Sequence, residues 1–166
     1  MLRRSRHVRF CTFLREPISG PRTDVLGWLP GDFDLPDLLV ILVVEDDPLI
    51  QALIDEALCE GGYEPAIVAS GEEAVTLLQG HPQHYRALVS DISLMGTMDG
   101  WDVARQAREI DPSFPIVYMT GTEAEQWASH GVPNSILLTK PFAPAQLVTA
   151  ISQLLNAGGQ PTVPTS

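Results

Sequence analysis

The run Leu39-Val40-Ile41-Leu42-Val43-Val44 stops without transition on Glu45-Asp46-Asp47. Six apolar residues with no alternation, rich in β-branched types, suit a strand buried on both faces, as the central strands of parallel sheets are. Pro48 follows at once and opens an amphipathic helical pattern, so the three acids fall in a strand-to-helix turn at the carboxyl end of a sheet. That edge is where open α/β folds hold their ligands. Carboxylates about 5 Å apart repel by roughly 3 kcal/mol per pair at an effective dielectric of about 20, so a cation belongs among them. A hard divalent ion such as Mg2+ suits oxygen ligands. The same acids would also favour a helix N-terminus through its dipole, and this stretch alone leaves both readings open.

From residue 39 onward, short apolar runs alternate with amphipathic ones. Ile50, Leu53, Ile54, Ala57 and Leu58 recur at helical spacing, and Gly61-Gly62 ends that helix. A second strand is expected over 65–69, followed by Ser70 as an N-cap with Glu73 three residues on and an apolar face of Ala74, Val75, Leu77 and Leu78. Strand three, 87–90, ends on Asp91, and a loop through Gly96 and Gly100 leads to a helix over about 101–110. Strand four is expected over 115–120, and a short helix with Trp127 ends near Gly131. Strand five, 135–139, ends on Lys140-Pro141, and a last helix covers about 143–155. Five strand-helix repeats with short links describe an α/β fold built on a doubly wound parallel sheet.

A chain of 166 residues has room for one domain of ordinary size plus tails. Residues 1–37 carry Pro17, Pro21, Pro30 and Pro36 without a sustained period, and read as a disordered or weakly ordered extension. The domain is expected over 38–155, and 156–166, rich in Gly, Pro, Ser and Thr, as a flexible tail. Six of the ten basic residues lie before residue 39, leaving four basic residues against sixteen acids in the body. So acidic a body repels phosphate backbones, which argues against nucleic-acid binding. No apolar run approaches the length that spans a bilayer, so no membrane segment is expected. Cys11 and Cys59 form no metal-ligand spacing, and reduced thiols in a cytoplasmic setting are the expectation.

With the strands aligned, Glu45 and Asp46 end the first, Asp91 the third, Thr120 the fourth and Lys140 the fifth. Three carboxylates, a hydroxyl and an ammonium then gather on one edge. Together they have the logic of phosphoryl transfer: acids hold Mg2+, one acid is the nucleophile, and the hydroxyl and ammonium receive the phosphoryl oxygens. The turn Val44-Glu45-Asp46-Asp47, Asp91 followed by Asp99-Gly100, Met119-Thr120-Gly121 and Lys140-Pro141-Phe142 occur in order. On these four motifs the chain from about Leu39 to Leu155 resembles the receiver domain of bacterial two-component response regulators.

The resemblance implies a flavodoxin-like sheet in the order 2-1-3-4-5. It implies Asp91 as phosphoacceptor, with Glu45, Asp46, Asp91 and the Ser93 backbone carbonyl around Mg2+, Thr120 as the switch hydroxyl, and Lys140 as the lysine that pairs with the phosphoryl group. It also implies a cis Lys140-Pro141 peptide, and a signalling domain rather than an enzyme. The donor would be a histidine kinase or a histidine phosphotransfer protein, and the receiver, stand-alone and single-domain, would act on an output protein of unknown identity as a monomer or a phosphorylation-dependent dimer.

Two features depart from the family pattern. The link between Asp91 and Gly100 is one residue longer, with Met95 where proline is common, and Leu137, three before Lys140, stands where a rotating aromatic ring is usual. Asp47, Asp99 and Asp102 read as turn and helix-start acids, and His81 and His84 lack a third ligand nearby. Two other readings remain. A Mg-dependent phosphatase of the haloacid-dehalogenase type needs a second Asp two residues after the nucleophile, and here that place is Ser93. A pseudo-receiver would make contacts without phosphorylation, against which the presence of all five pocket groups argues.

Overall fold

The computed structural model describes residues 37–158. The extension and the end of the tail inferred from composition, 1–36 and 159–166, lie outside the described residues. β1 (Leu39–Val44), β2 (Tyr63–Val68), β3 (Tyr85–Asp91), β4 (Ile116–Thr120) and β5 (Ile136–Thr139) form one parallel sheet in the order β2-β1-β3-β4-β5. Between them run α1 (Pro48–Glu60), α2 (Gly71–Gly80), α3 (Gly100–Ile110) and α4 (Trp127–His130), and α5 (Pro144–Ala157) follows β5. A 3-10 turn over Ala124–Gln126 precedes α4.

β1 shows why an unbroken apolar run is required. Val40, Leu42 and Val44 pack into a core with Ala74 and Leu78 of α2 and with Trp101, Val103, Ala104 and Ala107 of α3. Ile41 and Val43 pack on the opposite face, with Ile54 and Leu58 of α1 and with Leu147, Ala150 and Ile151 of α5. Successive residues of a strand face opposite ways, so helices on both sides demand apolar residues at every position. The order in which strands are added to the sheet reverses at β1 and β3, and this is the switch point of the fold.

Several boundaries move relative to the sequence reading. β2 begins at Tyr63 and takes in Pro65, which is tolerated because β2 is an edge strand. β3 begins at Tyr85, and α5 runs on through Asn156 and Ala157. Gly62 adopts φ 82°, a left-handed conformation that ends α1 and turns the chain into β2. The Ser70 hydroxyl accepts from the Glu73 amide at 3.3 Å, as its spacing predicts. Cys59 lies half-buried on the last turn of α1.

Leu137 pairs with Tyr118 across β4 and β5 and packs half-buried on the α2–α3 side of the sheet. Tyr118 is fully buried, accepts a hydrogen bond from the Val132 amide at 3.2 Å and lies 4.7 Å, ring to ring, from Trp101. Its role is packing.

Candidate functional site

The register of the sheet assembles the site. Val44 pairs with Ser90, Asp91 with Met119 and Thr120 with Thr139, so one step further along the chain Glu45, Asp91, Thr120 and Lys140 arrive at the same edge. Backbone bonds beyond the ladder hold these ends together, from Ile92 N–H to the Met119 carbonyl at 3.0 Å and from Lys140 N–H to the Thr120 carbonyl at 2.7 Å. Among the described residues the buried polar side chains are Glu45, Ser90, Asp91 and Thr120. Burial of polar groups is costly unless they are paired, and here every instance falls at one edge of the sheet.

Lys140 supplies the pairing. Its Nζ donates to Glu45 Oε2 at 2.8 Å and lies 3.2 Å from Asp91 Oδ1. Burial pushes the Glu45 carboxyl above the ordinary range; the Lys140 hydrogen bond and the Asp47 amide oppose this only in part, and the charge of Asp91 adds to the rise. Burial alone would lower the Lys140 ammonium, but its bond to Glu45 and the charge of Asp91 outweigh it and leave it raised. The Lys140-Pro141 peptide that carries this side chain is cis, as the resemblance implied.

Glu45, Asp46 and Asp91 each offer an oxygen, and the three atoms lie within 4.8 Å of one another. Among the described residues one ammonium stands against three carboxylates, which leaves the pocket short of positive charge, and its donors are hard oxygens. The residues therefore fit a hard divalent cation such as Mg2+. Asp46 Oδ2 accepts from the Met95 amide at 3.1 Å, so the lengthened loop after β3 orients this acid. Ser93 lies on the same loop, and its side chain donates to Glu123 Oε1 at 2.6 Å.

Gly100 explains the Asp99-Gly100 pair. A Cβ at Gly100 would stand 2.1 Å from the Asp91 carbonyl oxygen, so only glycine lets α3 begin directly against the end of β3. Asp99 caps that helix, accepting from the Asp102 amide at 2.8 Å, and Asp102 pairs with Arg105. Asp47 caps α1 through the Leu49 amide at 2.8 Å. These three acids thus have the helix-start roles read from the sequence, and His81 and His84 stay outside the acidic cluster.

Two acids escaped the sequence reading. Glu72, in the first turn of α2, accepts from the Thr97 amide at 2.9 Å, the Thr97 hydroxyl at 2.5 Å and the Met98 amide at 3.1 Å, and so anchors the lengthened loop. Its partners are 25 and 26 residues away, beyond any local pattern. Glu123 accepts from Thr120 Oγ1 at 2.6 Å as well as from Ser93. The Thr120-x-x-Glu123 spacing is that of a capping box, a signal that could have found it.

A doubly wound sheet in this order, with three acids, a hydroxyl and a lysine at its switch-point edge, defines a receiver-type domain. The family described as response regulator receiver domain matches residues 41–152. The chain is 35% identical over 119 residues to the response regulator receiver protein CpdR of Brucella abortus, covering 70% of this chain and 97% of that protein. It is 32% identical over 128 residues to the probable transcriptional regulator ycf27 of Cyanophora paradoxa, 76% of this chain but only 52% of that one. This chain thus spans about half the length of some relatives and nearly all of another.

Among solved structures, a response regulator receiver protein from Sinorhizobium medicae superposes with a TM-score of 0.70 at 45% identity, covering 73% of this chain and 97% of that one. The receiver domain of a sensor histidine kinase from Pseudomonas aeruginosa, which has a magnesium ion coordinated in its active site cleft, gives 0.61 at 28% identity over 72% and 98%. The chain belongs to the receiver domain family of two-component response regulators.

Proposed function

We propose that this chain takes a phosphoryl group onto Asp91 from a histidine kinase or histidine phosphotransfer protein and signals by protein contact. The observation that supports this most is the Asp91 carboxylate itself, 6% exposed at the end of a central strand, with Lys140 Nζ 3.2 Å away and the Glu45 and Asp46 oxygens beside it. In the transfer an Asp91 carboxylate oxygen attacks the phosphorus of a phosphohistidine. The new O–P bond makes an acyl phosphate, the N–P bond breaks, and the imidazole nitrogen keeps the electron pair and takes a proton.

Glu45, Asp46, Asp91 and the Ser93 carbonyl would hold Mg2+, whose charge offsets that of the phosphoryl oxygens. In this reading Lys140 pairs with one of those oxygens and Thr120 donates to another. The added charge, about −1.5 to −2, draws both toward Asp91, and the surface formed by α4, β5 and α5 borders them, so it is the face offered to an output protein. No helix among the described residues is long and apolar enough to cross a membrane. A cytoplasmic location belongs to the same proposal.

Incubation of the full chain with a small phosphodonor and Mg2+ tests the assignment. It should add one phosphoryl mass that Asp91→Asn removes. Equal labelling of the variant would show that Asp91 is not the site.

A further inference from the structure

Thr120 has no hydroxyl capacity to spare. Its O–H donates to Glu123 Oε2 at 2.6 Å, and its oxygen accepts from the Glu123 amide at 2.8 Å and the Thr122 amide at 3.2 Å. A hydroxyl offers one donor and two acceptor positions, so all three are taken. The acceptor of its single proton is a carboxylate, which makes this a short charge-assisted bond. The second oxygen of that carboxylate takes the Ser93 hydroxyl at 2.6 Å. Glu123 therefore ties the loop after β4 to the loop after β3, directly beside Asp91.

We infer that Glu123 is a resting-state clasp, a positioning residue that sequesters the Thr120 hydroxyl until a phosphoryl group on Asp91 competes for it. The inference rests on the reading of Asp91 as phosphoacceptor and adds an internal competitor to it. Thr120 cannot donate to a phosphoryl oxygen while its proton lies on Glu123. Activation must therefore exchange one anionic acceptor for another, and the gain from engaging Thr120 is reduced by the bond given up. Glu123 immediately precedes the 3-10 turn and α4, so its release is also the step that passes the exchange to that segment.

Beryllofluoride with Mg2+, a non-covalent phosphoryl probe, tests this by calorimetry on the full chain. Removal of the competitor in Glu123→Ala is expected to tighten binding by about three- to ten-fold, the scale of one hydrogen bond net of its replacement. Glu123→Gln keeps a group able to bridge both hydroxyls and is expected to tighten it less. In a Thr120→Ala background the Glu123→Ala gain should vanish, because the clasp acts through that hydroxyl.

An unchanged or weakened affinity in Glu123→Ala would overturn the clasp. So would an equal gain with and without Thr120, which would reduce Glu123 to simple repulsion of the anion. If Glu123→Ala fails to fold, the Glu123→Gln comparison in the two backgrounds carries the same decision. A wild-type chain that binds no beryllofluoride would instead overturn the phosphoacceptor reading, an outcome distinct from binding that ignores Glu123.

Discussion

The Lys140 ammonium and the Glu45 carboxylate, 95 residues apart in the chain, meet at 2.8 Å, with Glu45 only 1% exposed. The pair closes the sheet edge between β1 and β5, strands that are not neighbours in the sheet. Among the described residues it also leaves Lys140 as the one cation beside three acids.

Lys140→Met should therefore destabilise the fold. Removing one partner strands a buried charge, and such losses run to about 3 kcal/mol. Denaturant unfolding should show this loss, and added Mg2+ should recover more stability in the variant than in the wild type. A variant as stable as wild type without Mg2+ would mean that Glu45 is neutral in the resting protein.

Asp46→Asn is expected to lower Mg2+ affinity by about ten-fold or more, equivalent to ~1.4 kcal/mol. Asparagine can still accept the Met95 amide bond, so the loop should keep its place and thermal stability should change little. Titration of the two proteins with Mg2+ compares them directly, and equal affinities would remove Asp46 from the ligand set.

At Gly100 the obstacle to a side chain is backbone, since an added Cβ would meet the Asp91 carbonyl at 2.1 Å and the Ile92 Cα at 2.8 Å. Gly100→Ala must push α3 away from β3, at a cost of about 1–3 kcal/mol. Because the displaced atoms belong to Asp91, labelling by a small phosphodonor should fall further than stability alone explains. Thermal unfolding and labelling on the same sample separate the two effects.

The lengthened loop should carry its own acid transition. The Thr97 hydroxyl, with backbone donors, holds the Glu72 carboxyl at about 2, below its ordinary 4.5. A carboxyl depressed on folding stabilises above its unfolded value, and that contribution is lost as pH falls through the folded one. Amide exchange at Thr97 and Met98, corrected for intrinsic rates, should stay slow at pH 5 and above. It should accelerate between pH 4.5 and about 2, the two values of the Glu72 carboxyl. In Glu72→Gln the step should disappear.

Much of this protein is legible in its sequence. The unbroken run 39–44 demanded a strand covered on both faces, and it has one core on each side. The acids and lysine at strand ends were visible as a constellation because parallel repeats return every strand to the same edge. Helix starts at Asp47, Ser70 and Asp99 were readable because a cap and its amide lie within three residues.

What the chain order could not specify was how these groups pair. Whether Lys140 meets Glu45, Asp91 or both depends on the offset between non-adjacent strands, which no local pattern encodes. The extent of burial at Glu45 depends on helices packed above and below it. Glu72 and Glu123 each bond to a loop 25 to 30 residues away, which only the folded chain brings within reach. Local propensity acts over a few residues and settles the elements. The contacts that tune the site act across the sheet edge, where distance along the chain carries no information about distance in space.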